Sequence, residues 1–197
     1  MRHTVTCKLE LFIASPSDLN EEREAVDRVL DDLNSTFLRG KDVEIVPRKW
    51  ENDTYTKYAG NDAQFLVNGQ IGDSYDAVLV MFWSRIGSAT PRALSGTVEE
   101  LERAIYRFER TGRPHIMPYF KTAGLNPYDV DLDQIKGVQS LHTLMQRGGL
   151  VRKFETIKEF ERALQKDLIL WMENDINRRR KSHALRPTGK SLSVKKR

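Results

Sequence analysis

The residues best placed to do chemistry lie in one short segment, Ser95-Gly96-Thr97-Val98-Glu99-Glu100. Glu100 is the candidate catalytic acid: a carboxylate in the first turn of a helix, preceded by a glycine that permits close approach of a ligand to the backbone. Upstream, Trp83 offers a ring for stacking, Ser84 a hydroxyl, and Arg85 a group that pairs with anions. The same pattern has a purely structural reading. Thr97-x-x-Glu100 matches a capping box, and acids are favoured in a first helical turn by the helix dipole. Both readings stay open on the residues alone.

These side chains need elements to position them. Residues 8–14 read as a strand that ends at Ser15-Pro16-Ser17-Asp18, where Ser17 or Asp18 can cap the helix that follows. That helix carries Leu19, Val26, Val29, Leu30, Leu33 and Phe37 at three- and four-residue spacings, and Gly40 stops it. Residues 43–46 form a second strand leading to Trp50. Residues 51–61 read as a polar loop and 62–71 as a short helix. Residues 75–83 are the most apolar run, the mark of a central parallel strand covered on both faces. A loop over 84–96 leads to a helix over 97–110 with its stripe at Val98, Leu101, Ile105 and Phe108, ended by Gly112 and Pro114. A fourth strand over 115–120, a helix over 132–145, a weak fifth strand over 150–154 and a final helix over 156–174 complete the order. Thr156 and Glu159 give the last helix a capping-box start.

Strand and helix alternate five times with no hairpin signal. This predicts an α/β fold of the flavodoxin-like kind: a five-stranded parallel sheet, order 2-1-3-4-5, with helices on both faces. In such sheets ligands bind beyond the carboxyl ends of the strands, where the strand order reverses. That crevice is flanked by Ser15-Pro16-Ser17-Asp18 and by the loop from Trp83 to Thr97. The first of these is a plain helix start, or a ribose or phosphate contact through Ser15 and Ser17. At about 100° per residue, Glu99 points about 150° from the apolar stripe, into solvent. Glu100 lies about 110° away, on the flank, where it can face the crevice.

Composition removes other classes. The chain has 197 residues, 39% hydrophobic and 30% charged, which suits one globular domain. No apolar run approaches the roughly 18–20 residues of a spanning helix, and the short stretch over 9–14 is not expected to be an export signal. Cys7 is the only cysteine, as in a reducing cytoplasm. His3, His115, His142 and His183 are scattered, so neither a metal set nor a nucleophilic triad is expected. There is no Gly-rich lysine loop and no dinucleotide fingerprint. The net charge is +4, yet nine basic residues and no acid follow Asn177, so 4 − 9 leaves −5 on residues 1–176. Residues 1–176 are read as the domain and 177–197 as a basic, disordered tail. That tail either solubilises the chain or contacts nucleic acid nonspecifically.

Several motifs, in order, resemble a known family. Phe12-Ile13-Ala14-Ser15-Pro16-Ser17-Asp18-Leu19-x-x-Glu22-Arg23, Trp50, Gln64, Phe82-Trp83-Ser84-Arg85-Ile86-Gly87 and Ser95-Gly96-Thr97-x-Glu99-Glu100-Leu101 look like a bacterial TIR-like family found at the front of STAND-type NTPases. The likeness covers roughly residues 8–120. More distantly the chain resembles Toll/interleukin-1 receptor domains and nucleoside deoxyribosyltransferases, whose Gly-Thr-x-x-Glu pattern falls on Gly96, Thr97 and Glu100. The resemblance implies an NAD glycohydrolase that cleaves the nicotinamide–ribose bond and needs no cofactor, NAD being the substrate. Glu100 would be the catalytic residue. Trp50 or Trp83 would stack on a ring, Arg85 would pair with the diphosphate, and Ser15, Ser17, Ser84, Gly96 and Thr97 would complete the binding site. It further implies a cytoplasmic antiviral defence effector, activated by homo-oligomerisation and served by a sensor or second-messenger-producing partner. Two alternatives accompany it: a non-catalytic assembly module on the same fold, and a deoxyribosyltransferase-like enzyme.

Overall fold

The computed structural model describes residues 7–49, 74–90 and 93–184. The expected loop over 51–61 and helix over 62–71, with Trp50 and Gln64, lie outside the described residues. The chain divides into two compact units, residues 1–165 and 166–197, and the boundary lies within the last helix.

The first unit is an α/β structure. Its elements are β1 (Cys7–Ala14), a 3-10 turn (Ser17–Leu19), α1 (Asn20–Ser35), β2 (Val43–Arg48), β3 (Ala77–Phe82), α2 (Gly96–Thr111), β4 (His115–Lys121), α3 (Leu132–Gly148), β5 (Arg152–Phe154) and the first turns of α4 (Ile157–Ala184). All strand pairs are parallel and the order is β2-β1-β3-β4-β5, as the alternation predicts. Every residue of β3 is buried, because helices cover both of its faces.

Side chains alternate across the sheet. Phe12, Ala14, Val78, Val80, Phe82 and Phe120 pack on one face with Leu101 and Ala104 of α2, and with Val138, Leu141 and Met145 of α3. Tyr119, one residue from Phe120, meets Phe160 of α4 edge-on at 5.6 Å on the other face. Arg28 of α1 pairs with Glu161 of α4 at 2.8 Å on that side. Asn34 of α1 exchanges two 2.9 Å hydrogen bonds with the backbone of Ile45 in β2.

At the amino ends of the strands, Asp76 joins three of them. One carboxylate oxygen accepts from the Glu10 N–H at 3.0 Å and the other from Arg113 at 3.1 Å. Its own N–H donates to Glu10 O at 2.9 Å, and its carbonyl accepts from His115 N–H at 3.0 Å.

The helix ends show where local reading holds. Gly112 closes α2 at φ 71°, donating to Phe108 O at 2.7 Å, a left-handed C-cap that glycine adopts without steric cost. At the start of α4 the capping box is reciprocal: Glu159 N–H donates to Thr156 Oγ1 at 3.2 Å, and Glu159 Oε2 accepts from Glu155 and Thr156 N–H. Those backbone donors hold the Glu159 carboxyl below its ordinary range. Two expectations fail. Neither Ser17 nor Asp18 caps α1, since the 3-10 turn intervenes and the Asp18 side chain bonds to Ser84 instead. In the second unit, α4 continues to Ala184. The helix therefore persists through 177–184, the first part of the stretch 177–197 read as a disordered tail; residues 185–197 lie outside the described residues.

Candidate active site

A cavity of about 970 Å³ opens at the carboxyl ends of β1 and β3, where the strand order reverses. Ser15, Ser17, Trp83, Ser84, Arg85, Gly96, Thr97 and Glu100 all line it. Of the sequence-predicted site residues only Trp50 is not placed there, because it lies outside the described residues.

Glu100 is buried, 7% exposed, and faces the cavity from the second turn of α2. The expected capping box on Thr97 and Glu100 does not form. The N-cap is Ser95, whose Oγ accepts from Val98 N–H at 3.1 Å. Glu100 is thus the fifth residue beyond the cap and has no capping role. Glu99 also departs from expectation. It is 6% exposed rather than solvent-facing, because the loop after β3 folds over it and Thr90 Oγ1 donates to Glu99 Oε2 at 2.9 Å. Glu99 is absent from the cavity wall.

The loop between β3 and α2 is fastened at several points. Asp18 Oδ2 accepts from both the N–H and the hydroxyl of Ser84, at 3.0 and 2.6 Å, tying the first crevice loop to the second. Asp18 Oδ1 is buried without a hydrogen-bond partner among the described residues. Ser95 Oγ donates to Ile86 O, and Gln134 of α3 accepts from Ile86 and Gly87 N–H at 2.8 and 3.2 Å. Gly87 has φ 103°, a backbone conformation in which any side chain is strained.

Two of the lining residues, Trp83 and Ser15, are held by contacts with residues outside the lining. Trp83 Nε1 donates to Ala123 O at 3.0 Å, and Lys121 Nζ stands 4.3 Å above the indole. One ring face is therefore covered by a cation. Lys121 pairs at 2.8 Å with Glu22, which is 1% exposed. Ser15 Oγ accepts from Arg23 at 2.9 Å. The far wall comes from the connection between β4 and α3, through Asn126, Asp129 and Asp131, and from Gln134 in the first turn of α3. Sequence reasoning missed these four. Asn126-x-x-Asp129 and Asp131-x-x-Gln134 carry turn and helix-start signals, but nothing local aims them at a cavity.

Among the described residues, the lining includes the carboxylates of Asp18, Glu100, Asp129 and Asp131 and the guanidinium of Arg85. Among the described residues no cluster of three His, Cys, Asp or Glu side chains could hold a metal ion. His142 stands edge-on to Phe120 at 4.8 Å, and burial, then Lys153, holds its imidazole below the ordinary range. Such a setting favours a neutral, packed ring. No helix among the described residues is long and apolar enough to cross a membrane.

No protein-family model matches the chain, and no curated protein matches it.

Proposed function

We propose that the chain is a TIR-like NAD glycohydrolase with Glu100 as its catalytic residue. The observation that carries this reading is the position of Glu100: a buried carboxylate on the wall of the switch-point cavity, relieved of capping by Ser95. The reaction breaks the C1′–N bond. Nicotinamide leaves with the electron pair and becomes neutral, the ribosyl carbon becomes cationic, water adds to it, and one proton passes to solvent. A cationic transition state suits a cavity whose described lining includes the carboxylates of Asp18, Glu100, Asp129 and Asp131. Glu100 would stabilise that cation, Arg85 would pair with the diphosphate, and the face of Trp83 opposite Lys121 would stack on a ring. NAD is then a substrate and no cofactor takes part. Homo-oligomerisation as the trigger, a sensor or second-messenger-producing partner, a cytoplasmic defence role and nonspecific nucleic-acid contact by the basic tail belong to the same proposal. The test is nicotinamide release from NAD by the full chain, free and forced into oligomers. Release that is equal in wild type and Glu100→Gln, or absent from both, overturns the reading.

A further inference from the structure

Two successive backbone amides, those of Ile86 and Gly87, converge on one oxygen, Gln134 Oε1, at 2.8 and 3.2 Å. Consecutive N–H groups aimed at one point are how a backbone cradles an anion. Gly87, at φ 103°, supplies the left-handed backbone that such a turn uses. The oxygen now in the cradle belongs to a neutral carboxamide. A phosphate oxygen would make charge-assisted bonds there, roughly twice as strong as neutral ones. Gln134 is only half-buried, and its remaining bond to this segment, Nε2 to Gly87 O, is long at 3.4 Å. Next in sequence, Arg85 is exposed and has no ion-pair partner among the described residues. Arg85, Gly87 and Gln134 all line the same cavity.

We infer that the Ile86–Gly87 amides form a latent phosphate subsite, with the Gln134 carboxamide standing in for a phosphate oxygen and Arg85 as the charge partner. An incoming anion displaces Gln134 Oε1 and takes over both N–H groups. The anion class follows from the amides and the guanidinium. Narrowing it to the diphosphate of a dinucleotide rests on the proposed NAD reading.

The experiment titrates the full chain with inorganic pyrophosphate and follows the amide NMR signals of Ile86 and Gly87. Gln134→Met keeps the length of the side chain and removes the competing oxygen, so it should bind about tenfold more tightly than wild type. Gln134→Glu places a carboxylate in the cradle and should bind at least about tenfold more weakly. An acid at that helical position, three residues after Asp131, suits the start of α3, so the fold persists. Arg85→Ala in the Gln134→Met background should cancel the gain. The inference is overturned if the two amides ignore pyrophosphate in Gln134→Met, if Gln134→Glu binds as tightly as Gln134→Met, or if only signals from the basic residues after Asn177 move. Nicotinamide release is read separately. Pyrophosphate binding of the expected pattern without any release upholds the subsite and removes the NAD reading. Release without a pyrophosphate response does the reverse.

Discussion

Thr90 Oγ1 donates to Glu99 Oε2 across 2.9 Å and so fastens the loop after β3 onto α2, while Glu100, the next residue, lines the cavity. Two adjacent acids therefore have different work. Glu99→Gln keeps an acceptor for Thr90 and should leave nicotinamide release within a few-fold of wild type. Glu100→Gln keeps shape and loses charge, and should lower release by about 10²–10³, the scale of one lost electrostatic stabiliser. Parallel release assays, with circular dichroism to confirm folding, check both.

Ser95 is fully buried and serves two partners, accepting from Val98 N–H and donating to Ile86 O. Ser95→Ala should cost about 2 kcal/mol, from a lost cap and an orphaned carbonyl. Ser95→Thr should recover part of it. Urea denaturation measures each.

Lys121 and Glu22 form an ion pair in which Glu22 is 1% exposed. Lys121→Met alone should destabilise by about 3–5 kcal/mol, since a buried charge is left uncompensated. The double variant Lys121→Met/Glu22→Leu should recover most of the loss. Trp83 fluorescence should change in both, because the cation above its ring is gone.

A Cβ at Gly137 would stand 3.0 Å from two carbons of Ile86. Alanine improves helix propensity by about 1 kcal/mol, yet overpacking costs about 1–3 kcal/mol. Gly137→Ala should therefore be net destabilising, and Ile86→Ala should be less harmful in its presence. A double-mutant cycle by chemical denaturation reads the coupling.

The depressed Glu159 carboxyl sets a sign for acid stability. Its folded-state value lies below the ordinary 4.5, so its contribution is present above that pH and is lost as pH falls through the folded value. Melting curves of wild type and Glu159→Gln should differ near neutrality and converge in acid.

Much of the architecture was legible because it is written in local periodicity. The apolar run of β3, the stripe of α2 and the absence of hairpins lead to the strand order, and the strand order leads to the crevice. What escaped depends on distant contacts. The wheel sends Glu99 to solvent because it cannot see a loop folding back over the helix. Thr97 and Glu100 match a capping box as well as Ser95 matches a cap, and a shift of two residues is within the blur of any helix boundary. Gln134 reaches Ile86 from 48 positions away, and Asp18 reaches Ser84 from 66; no pattern in one chain announces such pairs.

The Asp76 junction has a consequence for how such a molecule can change over generations. It binds three strands at one pole of the sheet, while the described loops that shape the cavity hang from the other. Substitutions in those loops can retune ligand choice without loosening the junction, and repairs near Asp76 can restore lost stability without disturbing the cavity. Novelty and robustness are kept at opposite poles, which leaves each open to selection on its own terms.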